Sequence, residues 1–310
     1  MPKDTAKLDQ AARAAWLSWV GGLTQDEIAG RMGVSRQTAQ RLVAQAMAAG
    51  IVKVRIDHPL AECLDLAARM QERFGLRRVE VTPESAGLAG VAMQLAELFE
   101  EQLTRPEPVT LAVGTGRTLR AGVEQMARID CPQHRIVSLT GNIAPDGSTA
   151  YYNVLFSLSE LVTAHCYPLM VPVIAATPGE REALHRQPGN ARVMDMAANA
   201  DVAVIGVGDL GPSAPLLADG FMSAAEIAGL NDRGAVGEIL GIPFDAGGAF
   251  LPRDGRVASA RLPDAGRALV VAAVHGPTKR APALGLLRGG SVNGLICDAA
   301  TARWLLDQPR

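Results

Sequence analysis

The chain has little of what builds a metal centre, a disulfide framework or a membrane span. Its four cysteines, Cys63, Cys131, Cys166 and Cys297, stand far apart, so no paired spacing serves zinc or a redox motif, and neither a metal nor a cofactor is expected. No apolar run approaches the roughly 18 residues of a spanning helix. Lys3, Asp4, Lys7 and Asp9 crowd the region where a signal peptide would place its apolar stretch. A cytoplasmic protein without a membrane partner is expected. Aromatics are scarce, with 3 Trp, 3 Tyr and 6 Phe in 310 residues that are 48% hydrophobic, a balance that suits an α/β core rich in Ala, Val and Leu. The length accommodates a small head and one large domain.

What is present begins with residues 24–43, which read as two short helices around a glycine turn. Thr24 and Glu27 stand at capping-box spacing, Ile28, Ala29 and Met32 form one apolar face, and Gly33 ends the first helix. Ser35 is a good N-cap for the second, whose Ala39, Leu42, Val43 and Ala46 point inward and leave Arg36, Gln37, Gln40 and Arg41 facing out. Arg and Gln reach guanine and adenine edges bidentately in the major groove. Ser35, Arg36, Gln37, Thr38, Gln40 and Arg41 are therefore the candidate DNA-reading residues, against the plainer alternative of a solvated helical hairpin. Upstream, Leu8, Ala11, Ala12, Ala15, Trp16 and Trp19 supply a helix expected to bury its apolar stripe against the pair. Downstream, residues 51–56 alternate apolar and basic side chains as a small wing would, offering Lys53 and Arg55 to phosphates.

Charge divides the chain at the same place. Residues 1–58 hold eight Lys and Arg against five Asp and Glu, whereas the remainder holds twenty-two against twenty-seven. So modest a basic excess gives weak binding for a single head, and an oligomer presenting several heads to a repeated operator is expected. The predicted division is a DNA-binding head over 1–58 and a second domain over 59–310, joined by a linking helix within 59–75 whose apolar positions include Leu64, Leu66, Ala67 and Met70.

From residue 79 onward, short apolar runs at 79–81, 109–113, 135–139, 201–207, 269–274 and 295–297 alternate with helical patterns at 88–103, 118–127, 190–200, 279–287 and 301–306. This alternation predicts a doubly wound, mainly parallel sheet covered on both faces. Ligands of such sheets gather at the carboxyl ends of the strands, where three elements lie. Gly114, Thr115, Gly116, Arg117 and Thr118 follow a strand and open a helix, a cradle for an anion such as phosphate, or else a plain strand-to-helix turn. Residues 206–211 match the dinucleotide fingerprint formally, yet Pro212, Pro215 and the pair Asp219 and Gly220 oppose the long helix that fingerprint requires. A loop lining a pocket is expected there instead, which also argues against a dinucleotide-binding redox sensor. Lys279 opens a helix after the 269–274 strand, where a cation opposes the dipole unless an anion is near; a solvated surface lysine is the alternative. Asp245 is open equally to a sugar contact and to an Asx-turn.

The head, Gly114 to Leu119, Gly141 to Gly147, Ala235 to Gly241 with Phe244 and Asp245, and Val292 to Asp298 together resemble the SorC family of sugar-binding transcriptional regulators over nearly the whole chain. Ser138 to Ile143 with Tyr151 to Asn153 resembles the family's regulators of polyol catabolism, such as the erythritol regulator. The resemblance implies a winged helix-turn-helix, an effector domain similar to sugar-phosphate isomerases and deaminases, and a tetramer. It implies further that the Gly114 to Thr118 loop and Lys279 hold the effector's phosphate or equivalent end. Asn142, Gly208, Asp209, Glu238 and Asp245 would then contact its hydroxyls.

The rival reading is a sugar-phosphate isomerase or deaminase carrying a DNA-binding head. Deaminases of this fold place an Asp-Gly-His run where this chain has Asp209, Leu210 and Gly211, so the expected acid-base group is absent. His134, His165 and His185 flank predicted strands without a carboxylate motif beside them. A regulator without enzymatic activity, whose partners are operator DNA and a small sugar, polyol or its phosphate, is the expectation.

Overall fold

Hydroxyl caps set two helix starts in the N-terminal unit, those at Gln25 and Arg36. In the computed structural model, which describes residues 2–52, 59–144, 146–149, 153–212, 214–252 and 255–309, the chain divides into two compact units, Met1–His58 and Pro59–Arg310. The first holds α1 (Pro2–Trp19), α2 (Gln25–Met32) and α3 (Arg36–Ala48). Thr24 and Glu27 close the capping box of α2, and Gly33 ends that helix in the left-handed conformation at φ 66°. The Ser35 hydroxyl accepts the Thr38 N–H at 3.2 Å to cap α3. Lys53 and Arg55, with the rest of the segment read as a wing beyond Val52, lie outside the described residues.

The core of this unit is built from small residues. Ala11, Ala14, Ala15 and Leu17 of α1 pack against Ile28, Ala29, Ala39, Leu42 and Ala46. Trp16 and Trp19, expected inside, are 59% and 55% exposed. The apolar pattern of α1 contains two stripes about 100° apart, one through Ala11, Ala14 and Ala15 and one through Leu8, Ala12, Trp16 and Trp19. Alanine lets α1 and α3 approach closely, and that close contact leaves no room for an indole.

In the second unit the strands and helices alternate in the order α4 (Pro59–Phe74), β1 (Arg78–Thr82), α5 (Gly87–Leu103), β2 (Thr110–Val113), α6 (Arg117–Val123), β3 (Arg135–Ile143), α7 (Val154–Ser159), β4 (His165–Pro172), α8 (Pro178–Arg186), α9 (Pro188–Ala198), β5 (Val202–Gly206), α10 (Pro215–Ala218), α11 (Ala224–Asp232), β6 (Ala235–Ile239), β7 (Ile242–Asp245), β8 (Leu269–Val274), α12 (Arg280–Arg288), β9 (Gly294–Asp298) and α13 (Ala299–Asp307). Seven strands form one sheet in the order β1-β9-β8-β5-β2-β3-β4, and each neighbouring pair runs parallel. Period-two alternation divides the core between the faces. Ala112, Ala203, Ile205 and Ala272 face α4, α9, α12 and α13, whereas Leu111, Val113, Val204 and Ala273 face α5, α6 and α7. Leu64 of α4, counted among its apolar positions, is exposed, while Cys63, Leu66 and Met70 are buried.

Two parts of the sheet framework escaped the sequence pattern. The strand β4 carries Pro168 and Pro172, which removes ladder donors; the sheet tolerates it because β4 is an edge strand. β6 and β7 form a separate antiparallel hairpin whose turn residues, Leu240 and Gly241, have φ of 55° and 77°. A two-residue turn with both φ positive matches strand twist but normally uses Asn or Gly. Leu240 is the one non-glycine residue with positive φ among the described residues.

At the β3–β4 edge the backbone of Gly141 lies close against that of Val171 and Pro172. A Cβ there would sit 2.7 Å from the Val171 carbonyl oxygen and closer still to that of Pro172. Gly141→Ala is therefore expected to lower the unfolding free energy of the large unit by about 1–3 kcal/mol, the usual range for overpacking, measured by urea denaturation. An unchanged midpoint would show that this edge yields freely.

Candidate functional site

β2, β3 and β4 advance toward one edge of the sheet, whereas β5, β8 and β9 advance toward the other. The crevice at the carboxyl ends of β2 and β5 is thus the point where strand order reverses, the preferred binding position in an open α/β sheet. A cavity of about 320 Å³ occupies it. Its walls come from the loop after β2 (Thr115, Gly116, Arg117, Thr118), the loop after β5 (Gly208, Asp209), the β6–β7 turn (Glu238, Leu240, Gly241), the α10 region (Leu216, Asp219, Phe221) and the turn before α12 (Thr278, Lys279).

The hairpin is fastened over the crevice by its backbone. Gly208 donates its N–H to the Glu238 carbonyl at 2.9 Å, and Glu238 returns the bond to Gly208 at 3.0 Å. Contact is so close that a Cβ on Gly208 would overlap the Glu238 side chain, with Cδ 2.6 Å away. The Glu238 carboxylate then accepts the Gly241 N–H at 2.7 Å. That bond helps hold Leu240 in a conformation costing roughly 1–2 kcal/mol for an L-residue, and places the leucine side chain in the cavity wall.

Both cations in the cavity are paired. Lys279 Nζ lies 2.6 Å from Asp209 Oδ2, with both side chains mostly buried. Arg117 lies 3.6 Å from Asp219. Burial pushes the Asp209 carboxyl up, but the hydrogen bond and charge of Lys279, with the Gly211 N–H, outweigh it and hold the group below the usual carboxylate range. Glu238 goes the other way. Burial raises it, against the Gly241 N–H and the Lys279 charge, and the Asp209 charge adds to the rise.

Of the residues expected to bind an effector, Thr115, Gly116, Arg117, Thr118, Gly208, Asp209, Glu238 and Lys279 line this one cavity. Gly114 stands one residue behind, its N–H bonded at 2.9 Å to the Val204 carbonyl of the adjacent strand β5. Asn142 and Asp245 do not reach it. Asn142 is buried, donating to the Leu169 carbonyl at 3.0 Å and accepting from Asn153 at 2.6 Å, so its amide braces β3 against β4. Asp245 closes an Asx-turn, accepting the Gly247 and Ala249 N–H groups. Thr140, Asp219, Leu240 and Thr278 line the cavity without having been singled out. Asp219 was visible only as a helix breaker, and Leu240 gives no signal by residue type.

One histidine does have a carboxylate beside it. His275 Nδ1 lies 3.2 Å from Asp298 Oδ2, without hydrogen-bond alignment. The same carboxylate accepts the Gly276 N–H at 3.1 Å and the Thr301 N–H at 2.7 Å, and caps α13. Neither residue lines the cavity. Asp298 instead fastens the turn that carries Lys279. His134, also weighed as an acid-base group, is buried and accepts the Val109 N–H at 3.0 Å.

On the N-terminal unit, Ser35, Arg36, Gln37, Gln40 and Arg41 are exposed and Thr38 is half-buried. Ser35 and Thr38 are engaged in the α3 cap, whereas Arg36 pairs with Asp26 of α2 at 3.3 Å in full view of solvent. So exposed a pair is worth little.

Residues 58–307 match the family described as "Putative sugar-binding domain", and residues 5–55 match "Homeodomain-like domain". The chain belongs to the SorC family of sugar-binding transcriptional regulators. It is 34% identical to the erythritol catabolism regulatory protein EryD of Brucella abortus over 305 residues, covering 96% of each chain. It is 28% identical to the transcriptional regulator LsrR of an Enterobacter species, covering 95% of this chain and 92% of that one. The full-length sorbitol operon regulator SorC of Klebsiella pneumoniae has the same fold, with a TM-score of 0.73 at 22% identity over 97% of this chain and 99% of that one.

Within this SorC-family domain, the raised Glu238 makes a signed prediction. A carboxyl whose folded pKa is raised costs no stability below its unfolded value of about 4.3 and costs progressively more as pH rises through its folded value. Glu238→Gln removes that cost while keeping an acceptor for Gly241. The variant is expected to melt above wild type at about pH 8, with the gap closing near pH 4. A difference independent of pH would show that Glu238 is not the titrating group.

Proposed function

We propose that this SorC-family regulator binds operator DNA through the exposed face of α3 and binds a sugar or polyol in the crevice cavity, and that occupancy of the cavity alters operator affinity. The observation that carries the reading is the convergence of four separate segments, the loops after β2 and β5, the β6–β7 hairpin and the turn before α12, on one cavity at the strand-order reversal, in a domain that follows a helix-turn-helix. Similarity to EryD, a regulator of erythritol catabolism by name, supports a small polyhydroxylated effector. A homo-oligomer, by family resemblance a tetramer, supplies the several heads that a weakly basic unit needs. It works in the cytoplasm, beside its operator.

The protein binds its effector without converting it. Asp209 is held ionised by Lys279, and the His275 and Asp298 pair is engaged outside the cavity. NMR of purified protein incubated with a sugar phosphate is expected to show no isomerisation or deamination above background. Turnover abolished by Asp209→Asn would replace this reading with an enzyme.

For the head, Gln37→Ala is expected to relax base preference and to cost about 1–3 kcal/mol if Gln37 makes a bidentate base contact. A folded Arg36→Ala, Gln37→Ala double variant should lose specific operator binding in a gel-shift titration. Unchanged binding would move the reading face elsewhere.

A further inference from the structure

The charge inventory of the cavity constrains what it takes. Among the described residues lining it, the cations are Lys279 and Arg117 and the carboxylates are Asp209, Asp219 and Glu238. Each cation already faces a carboxylate, Lys279 at 2.6 Å and Arg117 at 3.6 Å, which leaves Glu238 over. The tighter pair is also the more buried one. Asp209 is held from behind by the Gly211 N–H at 3.2 Å, and the Thr278 hydroxyl lies 3.5 Å from its other oxygen, so the carboxylate is anchored in the wall and does not swing out to release the lysine.

A phosphate monoester brings about −1.5 to −2 charges at neutral pH and oxygens that chiefly accept. Seated here it would set that charge against the Asp209 and Asp219 carboxylates and compete with Asp209 for Lys279, and such like-charge juxtaposition rejects a ligand. A neutral polyol meets no such penalty. Each hydroxyl donates and accepts, so one ligand donates to the carboxylates while accepting from Lys279 and Thr278, leaving the existing pairs in place.

We infer that the cavity selects an uncharged polyhydroxylated effector, an alditol or free sugar, over its phosphate ester. This rests on the cavity being the effector site, and it reverses the expectation that Lys279 grips a phosphate. Lys279 is the counter-ion of Asp209, and the pair acts as a joint donor and acceptor for neighbouring hydroxyls.

The test is calorimetry on the full-length protein with erythritol, xylitol, glucitol and the corresponding free sugars, each against its terminal monophosphate. At least one neutral compound is expected to bind about ten-fold or more tighter than its own phosphate, a gap of roughly 1.4 kcal/mol, and millimolar inorganic phosphate should not displace it. Asp209→Asn leaves Lys279 without its counter-ion, so the variant's affinity for the phosphates should rise in absolute terms, which mere damage to the fold would not produce. A phosphate that binds wild type more tightly than its neutral parent overturns the inference and leaves the effector site standing. Failure of both series to bind removes the effector-site reading, and this inference with it.

Discussion

The reversal of strand order between β2 and β5 is the constraint on which the rest of the large unit depends. Parallel strands joined by right-handed crossovers place successive connections on one face until the direction of advance changes. Where it changes, the loops after the two central strands are pushed to opposite faces and leave a crevice. In this chain those loops are residues 114–118 and 206–211, and between them lies an opening that several separate segments line. The apolar runs that make buried parallel strands therefore also decide where the polar side chains must act.

The crevice is kept open by interactions that would be unfavourable elsewhere. Glu238 is a buried carboxyl, Leu240 is held at positive φ, and Gly208 survives only because no Cβ intrudes on the Glu238 side chain. Strain and a buried ionisable group of this kind persist where the surroundings over-determine them. The double backbone bond between Gly208 and Glu238 is one such surrounding. Asp298 is another, since one carboxylate fixes the turn before Lys279 and caps α13. Arg303 of α13 reaches Glu62 of α4 at 2.7 Å, and Arg73 of α4 donates to the carbonyls of Leu306 and Gln308. The Lys279 turn is thus joined by charged contacts to α4, the first helix of the large unit.

Elements governed by periodicity were legible in the sequence, as were turns governed by capping. Six of the seven sheet strands and the caps at Thr24, Ser35 and Gly33 follow from those two signals. β4 was not legible because its two prolines suit only an edge, and edge position is a property of the whole sheet. The β6–β7 hairpin was hidden because its turn uses a leucine where residue type predicts glycine or asparagine. In the candidate site, position at strand ends identified Thr115 and Lys279, and the family resemblance Asp209 and Glu238, but not their pairing: Lys279 and Asp209 are 70 positions apart, and only the fold shows that they neutralise one another. Asn142 and Asp245 carry the same chemistry as true lining residues, yet the Leu169 carbonyl and the Asn153 amide consume the first and local backbone N–H groups the second. Trp16 and Trp19 failed for a geometric reason, a stripe one helical step away from the alanines that pack.

The central claim is that cavity and head are coupled in free energy, and coupling of this kind is reciprocal. The direct measurement is calorimetric titration of the full-length protein with a neutral polyol or sugar that binds it, in the absence and in the presence of a saturating operator duplex selected by the protein from random sequence. The account predicts that operator changes the ligand's affinity by the same factor by which ligand changes operator affinity, typically about 5- to 150-fold. Identical ligand affinity with and without operator would contradict it, because a ligand that does not distinguish the two states cannot shift them.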